Sequence, residues 1–187
     1  MQAMTLKTKL AMLIVLMAIG LVVLGFVLLL NLEETMMEDR KAKLSGVVDT
    51  AYSVLEHYHN LQTAGTLTQN EAQKEAGDII RSLRYDEVEY FWINDMHPKM
   101  IMHPFNDKLE GEDLSDYRDP NNLAIFVQMR DVVMASKEGF VNYFWPKPGQ
   151  SQPVEKVLYV AGFAPWGWVI GSGVYVDDVR AQVNEVF

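Results

Sequence analysis

Between Leu10 and Leu30 the chain runs LAMLIVLMAIGLVVLGFVLLL, 21 residues without a charged or strongly polar side chain. A helix rising about 1.5 Å per residue would span about 32 Å over this run, enough for a hydrocarbon core of about 30 Å. A secretory signal has a shorter apolar stretch, about 7–15 residues, followed by a small-residue cleavage site. Here the run is longer and leads into LLLNLEETMM, which offers no such site. The pattern predicts a retained membrane helix over 10–30. Lys7 and Lys9 precede it, while Glu33, Glu34, Glu38 and Asp39 follow it, ahead of Arg40 and Lys41. The positive-inside rule then places residues 1–9 in the cytoplasm and 31–187 outside.

Beyond the span the apolar positions keep a helical period. Leu44, Ala51 and Tyr58 are seven apart, with Val47, Val48, Val54, Leu55 and Leu61 between them. This predicts one helix from the membrane to about Gln62, its stripe facing the domain's own sheet, a second copy in a coiled dimer, or both. Ala64-Gly65 break it. Thr68 with Glu71 three residues on is a capping box, and Ala72, Ala76, Ile79, Ile80 and Leu83 mark the buried face of a second helix.

Strand character then runs from Glu87 to Asn94, turns at NDMHP and returns along KMIMH to Pro104. A polar, acidic loop over 106–122 leads to a third helix, about 121–137, with Ile125, Met129, Val132 and Val133 inward and Gly139 as its stop. Three strands follow, FVNYFWP, VEKVLYVAGF and GWVIGSGVYV, joined by KPGQSQP and APW. DDVRAQVNEVF restarts a helix with Asp177 as its cap. The whole reads as an α+β domain: membrane helix, long helix, then a mostly antiparallel five-stranded sheet with flanking helices.

Composition narrows the function. The chain of 187 residues carries a net charge of −9 and no basic stripe, which argues against a nucleic-acid partner. It has no cysteine, so disulfides, thiolate metal sites and a cysteine nucleophile are excluded. His57 and His59 are two apart on a helix and face different ways, unsuited to a shared metal. The loop NDKLEGEDLSD lacks the ligand spacing of a helix-loop-helix calcium site. No serine sits in a nucleophile elbow beside a base. Nothing calls for a metal, a cofactor or catalysis.

The candidate chemistry lies in the strands. Side chains alternate along a strand, so Tyr90 and Trp92 share a side, as do Tyr143 and Trp145, and Ile101 and His103. If these sides coincide, the sheet carries an aromatic patch with a histidine and hydroxyls, the usual make-up of a small-molecule pocket; an aromatic core under helices would explain the same rings. Lys156 stands in the middle of a strand of Val, Leu, Tyr and Ala. Buried alone, its ammonium would cost several kcal/mol. A carboxylate ligand, a neighbouring acid such as Glu155, or an edge position facing water would each relieve it. Tyr159 has the opposite parity and joins Lys156 in one pocket only if the strand bulges.

YFWIND, MIMHP, GFVNYFWPKPG and KVLYVAGFAPWGWVIGSGVYVDD, in this order behind a membrane helix, resemble the single-Cache (type 2) sensor domains of bacterial chemoreceptors. The resemblance covers about 33–180, most closely 90–178. It implies a PAS-like domain outside the bacterial inner membrane, its curved sheet holding a small carboxylate such as acetate, propionate, pyruvate, lactate or malate. Matched positions make Tyr90, Trp92, His103, Tyr143, Trp145, Lys156 and, more loosely, Tyr159 the ligand-binding residues. Pro146, Pro148, Gly149, Trp166 and Gly173 match as turn and packing residues. The resemblance further implies a homodimer that signals by helix displacement through a second membrane helix and a cytoplasmic region. A tethered solute-binding or accessory protein would share the pocket and lack that region.

Overall fold

The computed structural model of the protein describes residues 6–86, 89–178 and 181. In chain order it comprises α1 (Leu6–Thr63), α2 (Gln69–Ser82), β1 (Phe91–Asp95), β2 (Met100–Met102), α3 (Ile125–Ser136), β3 (Glu138–Pro146), β4 (Pro153–Phe163) and β5 (Trp168–Tyr175). Single 3-10 turns lie at Asp107–Leu109 and Ala164–Trp166.

Helix α1 is continuous over 58 residues. Its apolar end exposes Leu, Ile, Val and Met side chains all round, and it is long and apolar enough to cross a membrane. Higher up, Leu44, Val48, Ala51 and Leu55 are fully buried, with Val47, Val54 and Tyr58 partly buried against the same core. The heptad-like stripe therefore faces the domain's own sheet. Spacings of four and three keep it on one side of the helix. In α2 the capping box forms as expected: Thr68 Oγ1 accepts from the Glu71 amide at 3.3 Å, and the Glu71 carboxylate accepts from the Thr68 amide at 2.8 Å. Ala72, Ala76 and Ile80 are its buried face.

The five strands form one antiparallel sheet in the order β2-β1-β5-β4-β3. Strand alternation sorts their side chains into two cores. Phe91, Ile93, Val157, Tyr159, Ala161, Ile170 and Val174 pack with α1 and α2. Trp92, Val141, Tyr143, Trp145, Leu158, Val160 and Val169 face α3 and the long loop before it. Each fully buried large apolar side chain contributes about 1.5–3 kcal/mol of transfer free energy.

Four boundaries differ from the sequence pattern. β1 begins at Phe91, after Tyr85 and Glu89 exchange backbone hydrogen bonds of 3.2 and 3.0 Å; residues 87 and 88, where the sequence pattern starts the strand, lie outside the described residues. α3 begins at Ile125 because Asp119 Oδ1 accepts from the Asn121 and Leu123 amides, both at 2.9 Å, and so holds a turn with Asn122 at φ 62°. The helix stops through Lys137, at φ 70°, instead of Gly139. Gly139 belongs to β3, where a Cβ would lie 2.7 Å from Val132 Cγ1. After β5, residues 176–178 are helical, so Asp177 sits inside the first turn and not ahead of it; most of the expected terminal helix lies outside the described residues.

Candidate binding site

The face covered by α3 collects six of the seven residues singled out above. Tyr90 and Trp92 come from β1 and its approach, Tyr143 and Trp145 from β3, and Lys156 from β4; all are buried. His103, 4% exposed, joins them with its ring 5.2 Å from Tyr90 and 6.1 Å from Trp145. The parity that paired it with Ile101 does not hold. The β1–β2 register shifts, placing Met102 opposite Ile93 and Met100 opposite Asn94, so Ile101 packs on the α1 side while His103, past the strand's end, turns to the other.

Tyr159 is not part of this group. It lies on the α1 face, its ring 4.8 Å from its cross-strand neighbour Phe140. No bulge in β4 reverses it: the register runs unbroken from Lys156 to Phe163. Glu155 also lies on the α1 side, lining a groove with Lys41 and Met37, so it is not the partner of Lys156.

Lys156 reaches the centre of the sheet because β5 makes room for it. A Cβ on Gly173 would stand 2.9 Å from Lys156 Cε and 2.8 Å from the Val157 carbonyl oxygen. Gly171 does the same for Trp92, whose indole lies where a Cβ would come within 2.6 Å of Cζ2. The lysine stem thus crosses the glycine and ends with Nζ 4.3 Å from the Tyr90 ring centre and 4.4 Å from that of Tyr175. Lys156 has no exposed surface, and among the described residues its Nζ has no hydrogen-bond partner. Trp92 Nε1 is likewise buried and without a hydrogen-bond partner among the described residues. Buried donors left this way are uncommon, since each forgoes its hydration without replacement.

Burial pushes the Lys156 ammonium below its usual range, and the buried carboxylate of Glu89 opposes that shift. Glu89 in turn is pushed up by burial and drawn down by Lys156. His103 falls to about 4, chiefly through burial, with Lys156 and Arg81 adding to the effect. It is therefore neutral, and since the Phe105 amide donates to Nδ1 at 3.3 Å, its proton sits on Nε2. Burial also raises Tyr90 and Tyr143, keeping both as hydroxyl donors. The inner surface of the site thus presents an ammonium, an imidazole N–H, an indole N–H and phenols. That set is complementary to an anion with an apolar end.

A cavity of about 10 Å³ lies among five of these residues (Tyr90, Trp92, His103, Tyr143 and Trp145) and Met100, Phe126 and Met129. Outside it, a cleft of about 180 Å³ shares Tyr90, His103 and Trp145 and opens between Phe105 and the β3–β4 hairpin at 146–150. The surrounding frame is well anchored. Asp119 Oδ2 accepts from the Phe144 amide at 3.1 Å, fixing the loop that carries Tyr117 onto β3. Glu110 accepts from the His103 amide at 2.8 Å and pairs with Arg81 at 2.7 Å, tying the histidine to α2.

The sequence reading missed Glu89, Asp119, Gly171, Tyr175 and the α3 residues Phe126 and Met129. Gly171 and Gly173, two apart in an otherwise bulky strand, were the available signal, because a strand glycine marks close approach.

A five-stranded antiparallel sheet with a long N-terminal helix on one face and a buried, donor-lined site on the other is the architecture of a PAS-like extracytoplasmic sensor domain. The chain belongs to the Single Cache domain 2 family, whose model matches residues 36–187. It is 47% identical over 181 residues to the methyl-accepting chemotaxis protein McpP of Pseudomonas putida, covering 97% of this chain and 33% of that one. It is 29% identical over 150 residues to the sensor histidine kinase MctS of Rhizobium johnstonii, covering 80% of this chain and 32% of that one. The chain thus spans about a third of the length of these relatives. Among solved structures, the periplasmic sensor domain of a chemotaxis protein superposes with a TM-score of 0.74 at 46% identity, over 75% of this chain and 98% of that one. A Cache chemosensory domain solved for its carboxylic acid recognition gives a TM-score of 0.74 at 49% identity, over 76% and 97%. Both of these solved relatives are sensor domains.

Proposed function

We propose that the chain is the sensing part of a chemotaxis receptor, anchored by residues 10–30 with 1–9 in the cytoplasm and 31–187 outside, and that it binds a carboxylic acid of two to four carbons. The observation that carries this reading is Lys156, an ammonium with no exposure and, among the described residues, no hydrogen-bond partner, enclosed by Tyr90 and Tyr175. A carboxylate there gains a charge-assisted hydrogen bond where the apo site has none. His103 Nε2–H and the tyrosine hydroxyls supply further donors, and Trp92, Trp145 and Met129 an apolar end. The carboxylic acid recognition of the solved relative supports the same chemistry.

A cavity of about 10 Å³ has room for about one water. Even a two-carbon acid therefore has to part the rings, and the adjoining cleft is where they can give. Three consecutive residues link that movement to the end of the sheet. Trp145 walls the cavity, the Pro146 carbonyl accepts from Tyr175 Oη at 2.9 Å, and Lys147 holds Asp177 at 2.9 Å and Asp178 at 2.7 Å. A ligand that shifts Trp145 thereby shifts the start of the helix leaving the domain. Displacements of about 1–2 Å in packed helices are the usual scale of such switches. In a homodimer the moving segment works against α1.

The test is a thermal-shift screen of the full chain in detergent against short organic acids and amino acids. Acetate, propionate, pyruvate, lactate or malate at a hundredfold excess over its Kd should stabilise the domain by about 2.7 kcal/mol. Stabilisation by amino acids alone would overturn the assignment.

A further inference from the structure

The site holds a second donor that a plain carboxylate does not need. Trp92 is only 3% exposed, and its Nε1 is buried without a hydrogen-bond partner among the described residues. Among those residues it is the one wall of the small cavity with such a donor. Its place is fixed from behind. Trp92 pairs with Gly171 across β1 and β5, and the benzene half of the indole lies on that glycine, where a Cβ would come within 2.6 Å of Cζ2 and 3.0 Å of Cε2. Cε2 is the carbon that carries the N–H. Two residues on, the Lys156 stem crosses Gly173, with Cε 2.9 Å from the equivalent point. Positions two apart on a strand share a face at a spacing of about 6.6 Å. The two unpartnered donors thus rest on neighbouring footings of β5. Tyr90 lies beside both, its ring centre 4.3 Å from Lys156 Nζ and 6.5 Å from the Trp92 ring.

We infer that the Trp92 N–H is a specificity determinant: it donates to an oxygen on the carbon next to the carboxylate, so the site selects 2-oxo and 2-hydroxy acids over unsubstituted acids of the same length. This rests on the carboxylate reading of the site and names the ligand's second polar group. Two hydrogen bonds of about 2.9 Å, with the short span between a carboxylate oxygen and a C2 oxygen, bridge footings at that spacing. The carboxylate itself is served without Trp92. Lys156 offers three N–H groups, and the Tyr90 hydroxyl and His103 Nε2–H add more. Around the indole the cavity walls are Met100, Phe126 and Met129, which offer a polar group nothing. An unsubstituted acid sets a methylene or methyl group against the N–H and leaves it as unsatisfied in the complex as in the free domain. A C2 oxygen satisfies it, and a site built around a donor rejects the analogue that lacks the acceptor. The sign of the preference is diagnostic. In an apolar pocket without that donor, a C2 oxygen would lose its hydration for nothing and the unsubstituted acid would bind more tightly.

The experiment uses the full chain in detergent with three acids of equal carbon number: propionate, lactate and pyruvate. Titration calorimetry of the wild type should show pyruvate and lactate each binding at least about tenfold more tightly than propionate. Pyruvate ahead of lactate identifies a bare acceptor oxygen, and lactate ahead of pyruvate a hydroxyl; propionate trails both. Trp92→Phe keeps an aromatic ring against Gly171 and removes the N–H, and it should bring the three acids within about threefold of one another. With the tryptophans labelled with heavy nitrogen, the indole N–H resonance lost in Trp92→Phe should move to lower field on binding pyruvate or lactate and hold its place with propionate. Propionate binding as tightly as the other two in the wild type overturns the inference. So does an unchanged ranking in Trp92→Phe, a loss by one common factor for all three acids, or an indole resonance that moves equally with propionate. Should Trp92→Phe fail to fold, the wild-type ranking and the wild-type indole spectra decide, since the chain has only four tryptophans to follow. A chain that gives no binding heat with any of the three overturns the carboxylate reading itself, a result distinct from any change of ranking.

Discussion

Lys156→Met retains a long unbranched stem over Gly173 and removes only the charge and its donors. The structure fixes what this should do. The ammonium has given up its water without gaining a hydrogen bond among the described residues, and a buried ion in that condition costs several kcal/mol. Against this stand its two ring contacts at 4.3 and 4.4 Å, which contribute about 1 kcal/mol each. Removing all three leaves the apo domain more stable by about 1–2 kcal/mol, a rise of about 4 °C in Tm for a chain of this size. The measurement belongs at about pH 6, where Glu89, deprived of its cation, is neutralised by a proton. Thermal unfolding followed by circular dichroism, with and without a hundredfold excess of acetate, reads both halves of the prediction. Wild type should gain about 2.7 kcal/mol from the ligand and the variant nothing. If the apo variant instead loses about 3 kcal/mol or more, the amine is satisfied in solution; if it keeps the acetate shift, Lys156 is not the anchor. Either result refutes the reasoning.

Gly173→Ala drives a Cβ to 2.8 Å from the Val157 carbonyl and 2.9 Å from Lys156 Cε; since the carbonyl cannot swing away, urea unfolding should show a loss of about 2 kcal/mol. Acetate affinity in the same variant should drop at least about tenfold, and an unchanged Kd removes the glycine's role in seating the amine. Asp119→Ala strands the amides of Asn121, Leu123 and Phe144, and should cost about 2–3 kcal/mol in urea; a loss below about 0.5 kcal/mol contradicts the anchoring described for it. His103 is depressed to about 4 in the folded domain, so below its unfolded value of about 6.5 the unfolded chain takes up a proton that the folded one refuses. Stability attributable to it should therefore fall by about 3 kcal/mol between about pH 6.5 and 4, and His103→Gln should flatten the curve. That comparison is made in a Glu89→Gln background, because Glu89, raised on folding, titrates with the opposite sign in the same window; parallel curves would refute it.

The elements of the fold were legible where one local signal sufficed. The Thr68–Glu71 box, the apolar run and the strand triplet at the C-terminus needed no tertiary information. Lys156 stood out because a charge in a run of valine, leucine and tyrosine calls for a partner or for water, and the parity of Tyr159 already placed it on the other side. Parity failed at His103, where a register shift in a three-residue strand breaks the alternation. Asp119 was invisible for a different reason. Its three amide partners lie on two segments, one of them 25 residues away, and no short-range pattern encodes that convergence.

The unbroken backbone of α1 has a mechanical consequence. Leu44 is its first fully buried contact with the core, while Leu10 lies 34 residues nearer the N-terminus, about 51 Å down the same rod. With the upper half gripped by the sheet, the lower half acts as a lever arm. A tilt of about 2° at the grip sweeps the far tip by about 2 Å, as large as the helix shifts that receptors are known to read. If the domain signals as proposed, stiffness over that length, more than any large rearrangement inside the domain, would set how small a displacement reaches the other end.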